Sequence, residues 1–229
     1  MRTLQIRSLS LPALALLVFA GNAAAQNRSP ALLNSLEVQQ LVKRAEPGDN
    51  ARLAAHFTAV AERYVAEATR HTAMSQSFVG NPSRNLGTGM SAHCKRLAEL
   101  STQSATTVRE LATYHQNLAK GAPSTEPSGG GRFEGGAGAP APTDKELNAL
   151  AAKASTPADH HSLEEYFTTL AKRSTADAND HVAMAQAYRG SKIAQSAAHC
   201  DRLAELSRES AKEATAAAAM HKQLASVAR

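Results

Sequence analysis

The chain has 229 residues, a formal charge of +5, 4% aromatic residues and no tryptophan. Its basic residues alternate with acidic ones, which excludes a nucleic-acid stripe, and the shortage of aromatics excludes a large aromatic-lined substrate pocket. Abundant alanine and few β-branched residues suit an all-α protein whose helices approach closely.

Arg2 and Arg7 precede an apolar run from Leu9 to Ala20, and Ala23-Ala24-Ala25 meets the small-residue rule for signal cleavage. Residues 1–25 therefore read as a signal peptide, with the mature chain beginning at Gln26. The run is shorter than a membrane span, no cysteine follows it to carry a lipid anchor, and no twin arginine precedes it. The expected location is periplasmic or secreted, with no membrane insertion after cleavage. Loss of two arginines leaves 23 basic residues against 20 acidic ones, a charge of +3.

Residues 26–120 form a first repeat. Ser29-Pro30 supplies an N-cap and a first-turn proline for a short helix carrying Leu32, Leu33, Leu36 and Leu41. Pro47 breaks it, and Glu46-Pro47-Gly48-Asp49 starts a long helix. Its apolar stripe runs Leu53, Phe57, Val60, Tyr64, Ala68, His71, Met74, Phe78, in steps of three and four. Gly80 ends it, a loop is expected from Asn81 to Gly89, and a second long helix carries His93, Leu97, Leu100, Ser104, Leu111, His115 and Leu118.

Residues 121–142 are Gly-, Pro- and Ser-rich without apolar periodicity, which is a linker. Residues 143–229 then repeat the pattern. Thr143 and Glu146 make a capping box before Leu147 and Leu150, and Thr156-Pro157-Ala158-Asp159 starts the next helix. Its stripe is Leu163, Phe167, Leu170, Ser174, Ala178, His181, Met184, Tyr188, ending at Gly190. The last helix carries His199, Leu203, Leu206, Ser210, Ala217, His221 and Leu224.

Each repeat is an antiparallel helical hairpin with a short leading helix. One hairpin cannot bury its stripe alone, so the expected fold is a four-helix bundle of tandem-duplicated hairpins with short accessory helices. Packing about a pseudo-two-fold axis is expected to place both hairpin turns at one end. His56, His115 and His221 then fall at the other, with His115 and His221 about 33 Å along their helices from His93 and His199.

The sequence His-Cys occurs twice, at His93-Cys94 and His199-Cys200, and these are the only cysteines. Antiparallel pairing brings His71, Met74, His93 and Cys94 within roughly 10 Å along the axis, and likewise His181, Met184, His199 and Cys200. Three readings compete for this end. Cys94 and Cys200 are equivalent residues in an oxidising compartment, so a disulfide of roughly 4 kcal/mol is one. The eight residues also form a soft metal-ligand set, favouring copper and then zinc. The third reading is b-type haem, with His71 and His181 as axial pair and Met74 and Met184 as alternates.

Signals for an enzyme are poor. There is no Gly-rich phosphate loop, no His-Glu-x-x-His and no Gly-x-Ser-x-Gly. Glu99 and Glu205 follow Arg96 and Arg202 by three residues, which reads as surface ion pairing. The sequence thus points to a non-enzymatic exported protein binding or buffering a transition metal. The alternative is a disulfide-stapled structural or interaction bundle without ligand. A homo-oligomer or an envelope protein partner is compatible with either.

Overall fold

A computed structural model describes residues 32–81, 84–120 and 142–227, with side chains from residue 89 in the second of these segments. Residues 1–25, expected as a signal peptide, Ser29-Pro30, and all of the expected linker but Pro142 lie outside the described residues. Those described are all-helical: α1 (Ser35–Arg44), α2 (Pro47–Val79), α3 (Arg84–Leu118), α4 (Asp144–Lys153), α5 (Pro157–Arg189) and α6 (Ala197–Val227), with a 3₁₀ turn at Ala194–Ser196 before α6. None of these helices is long and apolar enough to cross a membrane.

Local chemistry sets the boundaries. Asn34, not Ser29, caps α1: its side chain accepts from the Glu37 N–H, and Glu37 returns the bond to the Asn34 N–H. Equivalent boxes open α4 (Thr143, Glu146) and α5 (Thr156, Asp159). Glu46 gives α2 no side-chain cap, and Asp49 instead accepts both bonds of a fork from Arg44. The loop expected from Asn81 to Gly89 is mostly helix, because α3 already begins at Arg84. The second repeat, four residues shorter here, makes its corner with the 3₁₀ turn instead.

α2 packs along α3 and α5 along α6; α3 also packs on α6. α1 and α4 lie over the seam between α2 and α5, each touching both. That seam is polar. Arg63 of α2 pairs with Asp177 of α5, and Arg173 of α5 pairs with Glu67 of α2. Arg63 and Arg173 occupy equivalent positions in the two repeats, as do Glu67 and Asp177. The two ion pairs are thus exchanged images of each other.

The two helix pairs run in opposite senses. Phe78, beside the turn of the first pair, lies against His221 near the end of α6 (ring centroids 5.8 Å). Tyr188, beside the turn of the second, bonds His115 near the end of α3. The turns therefore sit at opposite ends, contrary to the expectation that they share one. A sequence period fixes which face of a helix is buried, but not which way two like hairpins are laid together.

Candidate functional site

Three layers along the core hold the groups with chemistry. The middle one surrounds the exchanged ion pairs. A cavity of about 10 Å³ there is lined by Tyr64, Glu67, His71, Asp177 and serines 101, 104, 174, 207 and 210. His181 reaches this layer through the Tyr64 hydroxyl, 3.3 Å from its Nε2. His71 and His181 are both buried, and the Nδ1 of each has no partner. Burial lowers both to about 4, helped by Arg70 at His71 and by Arg63 and His56 at His181, so both are neutral at pH 7. The space has room for about one water molecule. The acids of this layer escaped the sequence reading, although a signal was there: Glu67 and Asp177 each stand one helical turn before the repeated histidine.

At the Tyr188 end, Asn50 donates its amide to the Ala45 and Glu46 carbonyls, which turns its Oδ1 toward His115. His115 therefore donates from Nδ1 (2.8 Å), and its Nε2 accepts from the Tyr188 hydroxyl (2.6 Å). Phe57 stacks on the imidazole. Both ring nitrogens are satisfied. His56 is also accounted for, accepting from the Leu33 N–H at 3.1 Å. Cys200, Met184 and Tyr188 share the buried apolar cluster here.

The Phe78 end has the same plan with different atoms. His160 takes the place of Asn50, Phe78 that of Tyr188, and Phe167 that of Phe57. His221 Nδ1 lies 3.3 Å from His160 Nδ1, and Phe167 stacks on its ring. Phe78 offers no hydroxyl, and His221 Nε2 has no partner although the residue is fully buried. Burial, then His160 and His93, lower His221 to about 3. Met74, Phe78, Met90 and Cys94 lie in the buried cluster of this end, with Met220 packed against it. A Cβ on Gly89 would come within 2.9 Å of Met220 Cε, so the absence of a side chain at Gly89 lets Met220 lie against α3 there. Three of the four methionines after Met1 thus belong to or pack against the cluster that holds Cys94.

The expected ligand sets separate accordingly. Met74 and Cys94 stay together at one end, and Met184 and Cys200 at the other. His71 and His181 belong to the middle layer. His93 and His199 are only partly buried and face outward acids: His93 contacts Glu213, and His199 contacts Glu110. Both cysteines are free, so the disulfide expectation is overturned. His199 meets Glu110, sixteen residues along α3 from Cys94, which separates the thiols by roughly 20–25 Å. Burial pushes each thiol up to about 12. Among the described residues no three His, Cys, Asp or Glu side chains form a group ready to hold a metal. Methionine sulfur stands outside that set of ligand types, and it is what distinguishes the Phe78 end.

No family model matches the chain, and no curated protein or solved structure matches it either.

Proposed function

We propose that this is an exported protein, cleaved before Gln26, in which tandem-duplicated hairpins form a four-helix bundle that binds or buffers a soft transition metal, Cu(I) in the first place. The supporting observation is the gathering of Met74, Met90 and Cys94 in one buried cluster, with Met220 at its edge. Thioether and thiolate sulfur favour Cu(I), whereas zinc draws little from thioethers. The high thiol pKa is compatible with binding, because the metal displaces the proton: Cys94 Sγ–H gives up H⁺ to solvent as the S–Cu bond forms. A macrocycle is not the ligand we propose, since the space beside His71 holds about one water molecule.

The test is a competitive Cu(I) titration of the full mature chain under reducing conditions, beside Cys94→Ser and Cys200→Ser. One tight equivalent that is lost in Cys94→Ser and kept in Cys200→Ser supports the reading. Equal behaviour of all three proteins removes it. A ligand-free structural bundle is the second reading, favoured by the Tyr188 end, where the histidine has a partner on each nitrogen. Absence of Cu(I) binding in the wild type would select it.

A further inference from the structure

The Phe78 end contains a nitrogen with no role in the packing. His221 is fully buried, its Nε2 has no hydrogen-bond partner, and its ring lies between Phe167 and Phe78. A bare polar atom at such a depth destabilises the fold, because its lost hydration is not replaced by a hydrogen bond. The Tyr188 end shows what relieves it, because there a tyrosine hydroxyl occupies the same nitrogen. The sequence could not reveal this, since His221 meets Phe78 only because the two helix pairs run in opposite senses.

We infer that His221 Nε2 is the nitrogen ligand of the soft-metal site, on a ring that His160 holds against Phe78 and Phe167, two members of the cluster that also contains Met74, Met90 and Cys94. The inference rests on the Cu(I) reading above and adds a residue to it. In this assignment His221 donates from Nδ1 to His160 Nδ1, 3.3 Å away, as His115 donates from Nδ1 to the Asn50 Oδ1 at the other end. That leaves the Nε2 lone pair free. A metal-binding histidine is held in this way, with one ring nitrogen on the ion and the other donating to a fixed acceptor. Met220 arrives on the neighbouring residue of the same helix, so one turn of α6 brings both imidazole and thioether to the first pair's turn. His160 is a positioning residue here and does not touch the ion.

The metal-free protein gives the first test. Nitrogen-15 NMR of the histidine rings should show His221 as the Nδ1–H tautomer with a bare Nε2. The opposite tautomer overturns the inference whatever the metal does. Cu(I) titration gives the second. His221→Gln should weaken binding at least tenfold, and His160→Ala about 10–100-fold, as for other partners of metal-bound histidines. His160→Asn restores the acceptor found at the other end and should return affinity to within a few-fold of wild type. Phe78→Tyr supplies the hydroxyl that competes for Nε2 and should weaken binding without lowering Tm. His115→Gln should leave the affinity unchanged. If Cys94→Ser abolishes binding while His221→Gln and His160→Ala do not, the sulfur site stands and this inference fails. If wild type binds no Cu(I), both fall.

Discussion

The Tyr188 end and the Phe78 end are built on one plan, and they differ in four side chains that matter. Asn50, Tyr114, Tyr188 and Ser196 at one end correspond to His160, Met220, Phe78 and Met90 at the other. At the first, the buried imidazole of His115 is fully hydrogen-bonded. At the second, hydroxyl and amide have been exchanged for imidazole, phenyl and thioether, and His221 keeps a bare nitrogen. The two ends therefore serve as controls for each other: the residues they share report what the fold needs, and the differences report what one end adds.

The strongest effect expected concerns what the ends share. His56, His71, His115 and His181 are lowered to about 4, and His221 to about 3, by burial in each case first. Their folded pKa values lie below the unfolded value of about 6.5, so the unfolded chain binds more protons between those limits. The stability they allow is complete above about pH 6.5 and is lost as pH falls toward 4. Several such groups together are comparable to a typical total stability of about 5–15 kcal/mol, so Tm should fall steeply between pH 6.5 and 4. A Tm series from pH 7.5 to 4 measures it. His115→Gln and His221→Gln should each flatten the acid limb, His221→Gln the more. A flat profile would show that these imidazoles are solvated in the folded protein.

Phe57 and Phe167 test the symmetry of the scaffold. Each is buried and stacks on its histidine, at 5.6 and 5.7 Å between centroids. Phe57→Ala and Phe167→Ala should each lose about 3–5 kcal/mol, and the two values should agree within about 1 kcal/mol. A wide disagreement in urea unfolding would mean the ends differ in packing as well as in polar atoms.

The hydroxyl exchange separates them. Tyr188→Phe removes the partner of His115 Nε2 and should cost about 1–3 kcal/mol. Phe78→Tyr offers His221 the same partner and should be neutral or stabilising by up to about 1 kcal/mol in metal-free protein. Loss of stability in both would show that Met90, larger than Ser196, leaves no room for the hydroxyl.

The element types and most of the inward face were legible in the sequence, because burial of one stripe per helix imposes a period of three and four. Leu53, Phe57, His71, Met74 and Phe78 are all buried as that period requires, and so are Leu163, Phe167, His181, Met184 and Tyr188. The candidate site was legible only in part. Met74 and Cys94 lie on neighbouring antiparallel helices, so local spacing sufficed to bring them together. His221 meets Phe78 of the same cluster through the direction in which the second hairpin is laid, and no local pattern encodes that direction. Met90 directly follows the stretch expected as loop, Asn81 to Gly89, and was not singled out, whereas α3 already begins at Arg84 and Gly89 lies against Met220. His93 and His199 were misplaced for a simpler reason: on helices this small-sided, a residue next to the buried cysteine already faces the rim, where Glu213 and Glu110 wait.

The smallest difference expected lies on the surface. Arg96 and Glu99 pair at 3.6 Å on α3, and Arg202 and Glu205 at 2.8 Å on α6, as the repeated spacing requires. All four side chains are exposed, so each pair is screened by water and salt, and Arg96→Ala should change stability by less than about 0.5 kcal/mol. Arg202 does one thing more: its second nitrogen donates to the Gln103 side chain, 2.9 Å away on α3. That bond ties the two helix pairs together across the α3–α6 contact. It is neutral at the acceptor and exposed, so Arg202→Ala should lose somewhat more than Arg96→Ala, but still below about 1 kcal/mol. Raising NaCl to 1 M should reduce the ion-pair part in both and leave the Arg202–Gln103 part, since salt screens charge pairs more than hydrogen bonds to an amide. Equal losses at both arginines in high salt would show that the Gln103 bond contributes nothing to the joining of the two pairs.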